Sequence, residues 1–142
     1  FEKILMVLKE RVLFICTGNS CRSQIAEGLF RDMAGNQFDV YSAGTHPSRV
    51  HPASIIVMAE CGIDISQHTS DSINKYLNKG IDIVITVCDN ARQACPTFPG
   101  NVRQIHWGID DPFNGWETEP AELVPYRKTR EELKNKINDF LN

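Results

Sequence analysis

The run at residues 81–87, IDIVITV, constrains the fold more than any other stretch of this chain, because only Asp82 and Thr86 in it are polar. A strand that is apolar on both of its alternating faces is buried on both, as in the centre of a parallel sheet. Parallel neighbours must be joined by crossover connections, which are usually helices. The run therefore predicts an α/β fold with helices on both faces of the sheet.

The rest of the chain alternates strand and helix patterns, as such a fold requires. Further strands are predicted at residues 11–16, 38–42 and 103–107. Helical spacing of apolar residues predicts helices over residues 22–34, 52–60 and 71–77, and a C-terminal helix with Leu133, Ile137, Phe140 and Leu141 on its apolar face. This order predicts a single domain with a four-stranded parallel sheet, whose ligands bind beyond the carboxyl ends of the strands.

Length and composition narrow the class of protein. The 142 residues carry a net charge of −3 and five cysteines. A domain of this length buries about two thirds of its unfolded surface, so it needs no disulfide or metal to fold. The odd number of cysteines disfavours a secreted disulfide framework, and we expect a reducing, cytoplasmic location.

Charge and hydropathy also limit the partners. The acidic balance disfavours nucleic acid and anionic membranes, and no apolar run approaches the roughly 20 residues that span a bilayer. Residues 1–10 lack the features of a secretory signal, so we interpret them as an N-terminal extension before a domain at residues 11–142. We expect the protein to be a monomer.

The segment after the first strand is suited to bind an oxyanion. Cys16 ends the strand, a tight loop follows, and a helix begins near Arg22. Loop amides and the helix N-terminus supply partial positive charge, and Arg22 presents a planar fork of donors. These groups, with a hydrogen bond from Ser23, favour the thiolate form of Cys16. The predicted oxyanion-binding residues are Thr17, Gly18, Asn19, Ser20, Cys21 and Arg22. The alternative is an inert, buried cysteine at a strand end.

The sequence CTGNSCRS at residues 16–23 resembles the phosphate-binding loop of the low-molecular-weight protein tyrosine phosphatases. It resembles still more closely that of the thioredoxin-coupled arsenate reductases, which share the same fold. The resemblance extends from about Arg11 to the C-terminal helix. It implies a phosphatase-like fold, arsenate as substrate with phosphate and sulfate as mimics, thioredoxin as partner, and no organic cofactor.

Two further cysteines distinguish this chain from a simple phosphatase. Cys88 follows the strand at residues 81–87, so we expect it at the same sheet edge as Cys16. Cys95 ends the segment CDNARQAC, whose polar residues offer little apolar surface to anchor it. The pair is either a thiol relay or two unrelated cysteines, and the absence of CxxC spacing disfavours zinc. A Cys-x6-Cys pair followed by HWGIDDP is similar to the arsenate reductases, which implies a relay from Cys16 to Cys88 to Cys95.

The segment at residues 110–113, Asp-Asp-Pro-Phe, follows the fourth predicted strand. An acid on a loop near the oxyanion can protonate a departing oxygen, although an acid before a proline is common in loops. The resemblance to both families implies that Asp111 is this general acid. The phosphatases usually place an aromatic pair after the proline, whereas here Asn114 follows Phe113, which weakens a phosphotyrosine interpretation. We expect Trp116 to pack against other side chains rather than to bind ligand.

The resemblance also implies a potassium site. Asn19, Glu27, Ser42 and Asp71 match positions that bind a potassium ion in some arsenate reductases. Taken alone, these four are ordinary polar residues that no spacing rule would group.

The interpretation that accounts for most of these features is arsenate reduction in arsenic detoxification. Two alternatives remain open. A tyrosine phosphatase would use Cys16, Arg22 and Asp111, with Cys88 and Cys95 as bystanders or as redox brakes. A thiol-based arsenite- or metal-binding module would use three cysteines without turnover, but it leaves the Cys-x5-Arg loop unexplained.

Overall fold

The computed structural model describes residues 8–142 and contains four strands and four α-helices in alternation. The strands are β1 (Glu10–Cys16), β2 (Phe38–Gly44), β3 (Ile83–Thr86) and β4 (Arg103–His106). The helices are α1 (Arg22–Ala34), α2 (Pro52–Ala59), α3 (Asp89–Ala94) and α4 (Pro120–Leu141), with a 3-10 turn at Ile73–Tyr76. All strand pairs are parallel, in the order β2-β1-β3-β4, so the predicted α/β architecture is confirmed.

β1 is the centre of the fold. Its residues from Val12 to Ile15 are fully buried, so both faces of the strand are covered. On one face the ring of Phe14 meets Phe30 of α1 edge to face, with 5.6 Å between centroids, and Phe30 meets Phe38 at 5.1 Å. Aromatic pairs in this geometry stabilise a core beyond their buried area. The carboxyl end of β1 is therefore a rigid base for the loop that follows it.

Some predicted boundaries differ from the structure. Glu10, which was assigned to the N-terminal extension, pairs with Phe38 and belongs to β1; residues 1–7 of that extension lie outside the described part of the chain. The helix predicted over residues 71–77 is only one 3-10 turn, and Ser72 caps it by accepting a hydrogen bond from the Asn74 amide. Within residues 8–142, no helix is both long and apolar enough to cross a membrane.

The sequence analysis missed α3. This six-residue helix begins after Cys88, whose sulfur caps it by accepting a hydrogen bond from the Ala91 amide at 3.4 Å. Ala91 is its one buried residue, so it has no apolar stripe that periodicity would detect. A helix this short is marginal in water, and it depends on its contacts with β1 and β3.

Candidate active site

The loop between β1 and α1 forms one wall of an open cavity. Cys16 lies at the end of β1 with only 3% of its surface exposed. The cavity above it is lined by Thr17, Gly18, Ser20, Cys21, Arg22, Ser48, Asp111, Phe113 and Trp116. Five of the six predicted oxyanion-binding residues therefore face one space, together with the predicted nucleophile and the predicted acid.

A buried hydroxyl lies within hydrogen-bond distance of the Cys16 sulfur. Ser23 Oγ lies 2.9 Å from Cys16 Sγ, and Asn19 Nδ2 donates to Ser23 Oγ at 2.7 Å. A hydroxyl has one hydrogen, and because Asn19 occupies an acceptor position of Ser23, that hydrogen is free to point at the sulfur. The Ser23 hydroxyl is therefore placed to hydrogen-bond the sulfur from inside the protein.

Asn19 is the predicted binding residue that does not line the cavity. It is fully buried at φ 47°, a left-handed conformation that asparagine tolerates better than most residues. Its Nδ2 also donates to Ser42 Oγ at 3.0 Å, and its Oδ1 accepts from the Asp71 amide at 2.8 Å. The Asn19 side chain thus holds the loop in shape from behind, and contact between the Asn19 backbone and substrate stays a prediction.

A glycine at the end of β2 permits the close approach of the loop. A Cβ on Gly44 would lie 2.5 Å from the Thr17 carbonyl oxygen and 2.9 Å from the Asn19 amide nitrogen. Real Cβ atoms do not come this close to backbone atoms. The loop can therefore rest against β2 only because residue 44 has no side chain.

Arg22 joins the loop to the segment that carries the predicted acid. Its Nη1 donates to the Ile109 carbonyl at 3.1 Å, and its Nη2 lies 3.7 Å from Asp111 Oδ2. The Asp111 carboxylate is more than half exposed, and its Oδ1 accepts from the Phe113 amide at 3.0 Å. A guanidinium has five N–H donors, so Arg22 keeps donors for an anion while it holds this segment.

Cys88 lies beside the loop, at the adjoining strand end. Its sulfur is 3.3 Å from Thr17 Oγ1, and the Val87 amide donates to the Ile15 carbonyl at 2.9 Å. Strand spacing and rise place the Cα atoms of Cys16 and Cys88 about 6 Å apart, within the roughly 7 Å that a disulfide allows. A second cavity, which Cys88 lines, shares Thr17, Arg22 and Asp111 with the first.

Cys95 lies apart from the other two thiols. It follows α3 and lines a separate cavity with Thr86, Arg92, Gln104, Ile105 and His106. Its sulfur faces the Pro96 carbonyl at 3.5 Å, and burial raises the pKa of its thiol, so it is protonated near neutral pH. Among the described residues all five cysteines are free thiols.

Cys21 is the third sulfur near the cavity. Burial raises its pKa to about 11, and its sulfur lies 3.8 Å from Ser20 Oγ and from Tyr126 Oη. Cys21 therefore stays a neutral thiol, although it lies in the same loop as Cys16. Cys61, beyond the end of α2, is exposed and far along the chain from this loop.

Trp116 was expected only to pack, and it also lines the Cys16 cavity. It is 40% exposed, Phe113 is 45% exposed, and both line the Cys16 cavity with their rings 5.4 Å apart. The guanidinium of Arg49 lies 4.0 Å from the Trp116 ring centroid. The mouth of the cavity therefore has an aromatic pair, Phe113 and Trp116. The sequence feature that could have indicated this pair is Gly115, whose positive φ makes the turn that brings Trp116 back beside Phe113.

The four residues predicted to bind potassium lie together behind the loop. Ser42 Oγ donates to Glu27 Oε1 at 2.5 Å, and Asn19 bonds both Ser42 and the Asp71 backbone. Glu27 Oε2 already accepts from Arg31, whose guanidinium supplies a positive charge within the cluster. An ion would have to displace these bonds, and the potassium site stays a prediction.

Comparison with known proteins agrees with this geometry. The family model described as low molecular weight phosphotyrosine protein phosphatase matches residues 11–142. Arsenate reductase 1 of Staphylococcus epidermidis is 46% identical over 93% of this chain and 96% of its own length. The arsenate reductase of Halalkalibacterium halodurans is 42% identical over 93% of this chain and 95% of its own length.

Solved structures of both kinds share the fold. The thioredoxin-dependent arsenate reductase of Corynebacterium glutamicum has a TM-score of 0.75 and 27% identity, covering 99% of this chain and 64% of its own. The low molecular weight protein tyrosine phosphatase of T. tengcongensis has a TM-score of 0.76 and 30% identity, covering 94% of this chain and 98% of its own. The fold alone does not separate the two activities, whereas the sequence relatives do. The chain is therefore an enzyme that belongs to the low molecular weight phosphotyrosine protein phosphatase family and, within it, to the arsenate reductases.

Proposed function

We propose that this enzyme reduces arsenate to arsenite through a relay of Cys16, Cys88 and Cys95, and that thioredoxin restores the reduced state. The observation that carries the proposal is the position of Cys88. Its Sγ lies 3.3 Å from Oγ1 of Thr17, the residue that follows Cys16. A phosphatase has no use for a second thiol at this place, whereas a relay requires one within disulfide range.

The first step places arsenate above Cys16. Loop amides and Arg22 bind its oxygens, because they are the donors that line the cavity. The Cys16 thiolate attacks arsenic, an As–S bond forms, and an As–O bond breaks. Asp111 gives its proton to the departing oxygen, which leaves as water.

The second step is the reduction itself. The Cys88 thiolate attacks Cys16 Sγ, a Cys16–Cys88 disulfide forms, and the electron pair of the As–S bond goes to arsenic. Arsenic is thereby reduced from the pentavalent to the trivalent state, and arsenite leaves. Two thiols have supplied the two electrons, so no flavin or nicotinamide is needed in this chain.

The third step requires α3 to unwind. Cys88 and Cys95 flank this six-residue helix, and the seven residue steps between them, at about 1.5 Å each, separate their Cα atoms by about 10 Å. A disulfide tolerates at most about 7 Å between Cα atoms, so the helical segment cannot form one. Because α3 buries only Ala91, its unwinding costs little, and it brings Cys95 to Cys88. Unwinding also exposes the Cys95 thiol to water, to which it can lose its proton. The Cys95 thiolate then attacks Cys88, and Cys16 is released as a thiolate.

Thioredoxin would act on the resulting Cys88–Cys95 disulfide. The unwound segment is polar and sits at the surface, where a dithiol partner reaches it, and a relative from Corynebacterium glutamicum is named as thioredoxin-dependent. Thioredoxin attacks the disulfide, becomes oxidised, and returns both thiols to their reduced form. The monomeric state and the cytoplasmic location stay predictions.

Disulfide mapping after a single turnover tests the relay. The enzyme is reduced, freed of reductant, given excess arsenate, alkylated and mapped by mass spectrometry. We expect a Cys88–Cys95 disulfide in the wild type, a Cys16–Cys88 disulfide in Cys95→Ser, and none in Cys88→Ser. An unchanged arsenate turnover with thioredoxin in either relay variant would show that the relay is wrong.

A second activity is favoured by one observation, the exposed aromatic pair at the cavity mouth. With Cys16, Arg22 and Asp111 in place, an aryl phosphate could lie against the exposed parts of Phe113 and Trp116. Its phosphoryl group would pass to the Cys16 thiolate while the aryl oxygen leaves with a proton from Asp111. This activity needs no relay, so Cys88→Ser should retain it fully. Hydrolysis of p-nitrophenyl phosphate by Cys88→Ser, with Cys16→Ser as the inactive control, measures it.

A further inference from the structure

His51 lies between the two parts of the site that must act together. It is fully buried and immediately precedes α2. Its backbone amide donates to the Ser20 carbonyl at 3.1 Å, and the Ser54 hydroxyl donates to the same carbonyl at 3.2 Å. The backbone of His51 is thus attached directly to the loop that surrounds Cys16.

The side chain of His51 reaches in the other direction, to the segment that carries Asp111. Its Nδ1 accepts a hydrogen bond from the Ala53 amide at 2.9 Å, so that nitrogen carries no proton. The hydrogen of the neutral ring is then on Nε2, which donates to the Gly115 carbonyl at 2.7 Å. Gly115 has φ 107°, where side chains are rarely tolerated, so this carbonyl is held in a turn that only glycine readily makes.

Ring contacts reinforce this hydrogen bond. The imidazole stacks on Trp116 with centroids 4.5 Å apart and planes 8° from parallel. It also meets the ring of Phe113 edge on at 5.7 Å and that of Tyr126 at 5.1 Å. Three of the six residues from Asp111 to Trp116 therefore touch this one side chain, while the Asp111 carboxylate itself is mostly in solvent.

We propose that His51 is a positioning residue that sets the distance between the acid Asp111 and the nucleophile Cys16. Its main chain holds the nucleophile loop, and its side chain holds the acid segment at Gly115 and Trp116. The proposal rests on the acid role given to Asp111 in the proposed function. Under this proposal, loss of the His51 side chain displaces Asp111 and impairs only the step that Asp111 assists. A catalytic group displaced by about 1 Å loses much of its effect.

Two substitutions separate the two hydrogen bonds of the ring. His51→Asn keeps an oxygen near the position of Nδ1, and asparagine is a good N-cap, so α2 stays capped while the bond to Gly115 is lost. His51→Gln extends an amide N–H toward the position of Nε2 and restores that bond. We expect His51→Asn to lower the rate of the first, Asp111-assisted step about tenfold, and His51→Gln to recover most of it.

A double-mutant cycle with Asp111→Asn distinguishes positioning from general damage. In the Asp111→Asn background, His51→Asn should change the single-turnover rate less than twofold, since there is no acid left to position. The rate at which iodoacetamide alkylates Cys16 should be the same in both backgrounds. Equal losses in the two backgrounds, or a loss of Cys16 alkylation, would overturn the proposal.

The cycle is measured with both arsenate and p-nitrophenyl phosphate, so that failure of the positioning role can be distinguished from failure of the proposed function. If the wild type does not reduce arsenate but the cycle holds for the aryl phosphate, the proposed function is wrong and the positioning role stands. Nitrogen NMR of the His51 ring supplies an independent readout. A proton on Nε2 with Nδ1 free supports the proposal, and a proton on Nδ1 overturns it.

Discussion

The loop around Cys16 and the segment from Cys88 to Cys95 carry the same functional group but are held in opposite ways. The loop grows from a fully buried strand, and its supporting side chain Asn19 makes three hydrogen bonds with no exposure to solvent. The segment from Cys88 to Cys95, the proposed relay segment, contains a six-residue helix with a single buried alanine. Binding and attack need fixed donors, whereas carrying oxidation outward needs a part that moves, and local stability differs accordingly.

Removing the Asn19 side chain should destabilise the rigid loop around Cys16, and we expect this substitution to have the largest effect. Asn19→Ala leaves Ser23, Ser42 and the Asp71 amide without a shared partner, which we expect to cost about 2–4 kcal/mol of unfolding free energy. Because Ser23 loses its orientation, alkylation of Cys16 by iodoacetamide should also slow severalfold. Urea unfolding and alkylation kinetics measure the two effects. Asn90→Ala in the relay segment is the matched control and should change neither.

A second substitution tests the segment from Cys88 to Cys95 by weakening the attachment of α3 to the sheet. His106 Nε2 lies 2.9 Å from Asp89 Oδ1, and its Nδ1 lies 2.8 Å from Thr86 Oγ1, so it ties the first turn of α3 to β3 and β4. His106→Ala should speed formation of the Cys88–Cys95 disulfide about two- to fivefold, because exposed pairs of this kind contribute up to about 1 kcal/mol. The first, Cys16-dependent step should be unchanged. Rapid-quench mapping of the disulfides measures both, and a slower relay would contradict the prediction.

Outside these two regions, the thermal stability of the fold should depend on pH through Glu60. Hydrogen bonds from Arg127 and then Arg130 lower the pKa of Glu60 from 4.5 to about 2, linking the end of α2 to α4. A carboxyl with a depressed folded pKa stabilises the protein above its ordinary pKa, and that stabilisation is lost as pH falls toward 2. Glu60→Gln should therefore lower Tm slightly at pH 7 and flatten its fall between pH 4.5 and 2. Thermal unfolding across this range measures it, and the sites of the relay should be unaffected.

Potassium should give the smallest effect. In the wild type the guanidinium of Arg31 donates to Glu27 and to the Val40 carbonyl, both at 2.5 Å, and so competes with an ion for these oxygens. Because an ion must displace Arg31 to bind, we expect Tm in potassium chloride to exceed that in sodium chloride at equal ionic strength by no more than about 1 °C. In Arg31→Ala the oxygens are released, and a shift specific to potassium should appear. A clear potassium shift in the wild type would show that the ion displaces Arg31.

The features that could be predicted from the sequence are local ones. The Cys-x5-Arg-Ser loop lies between a strand and a helix within eight residues, so spacing alone indicated its geometry. The apolar runs that became β1 and β3 predicted a parallel sheet, since burial on both faces leaves no polar alternation. Cys88 could be placed near Cys16 because the carboxyl ends of parallel strands meet at one sheet edge.

The misses share a physical cause, which is dependence on distant residues. α3 has no apolar stripe, and it forms where β1 and β3 support it. Asn19 resembled a ligand-binding residue, but its partners Ser42 and Asp71 are 23 and 52 positions away. Trp116 was expected only to pack because nothing near it in the chain shows that it borders Cys16, which is 100 positions earlier in the sequence.

By itself the sequence determined the fold class, the nucleophile loop and the sheet edge at which the thiols gather, because each follows from short-range periodicity and spacing. Only the tertiary structure decided which side chains hold the loop, which aromatic residues border its cavity, and that His51 contacts both the Cys16 loop and the Asp111 segment. Those contacts connect residues far apart in the chain. Their geometry depends on packing around β1, and no local pattern encodes it.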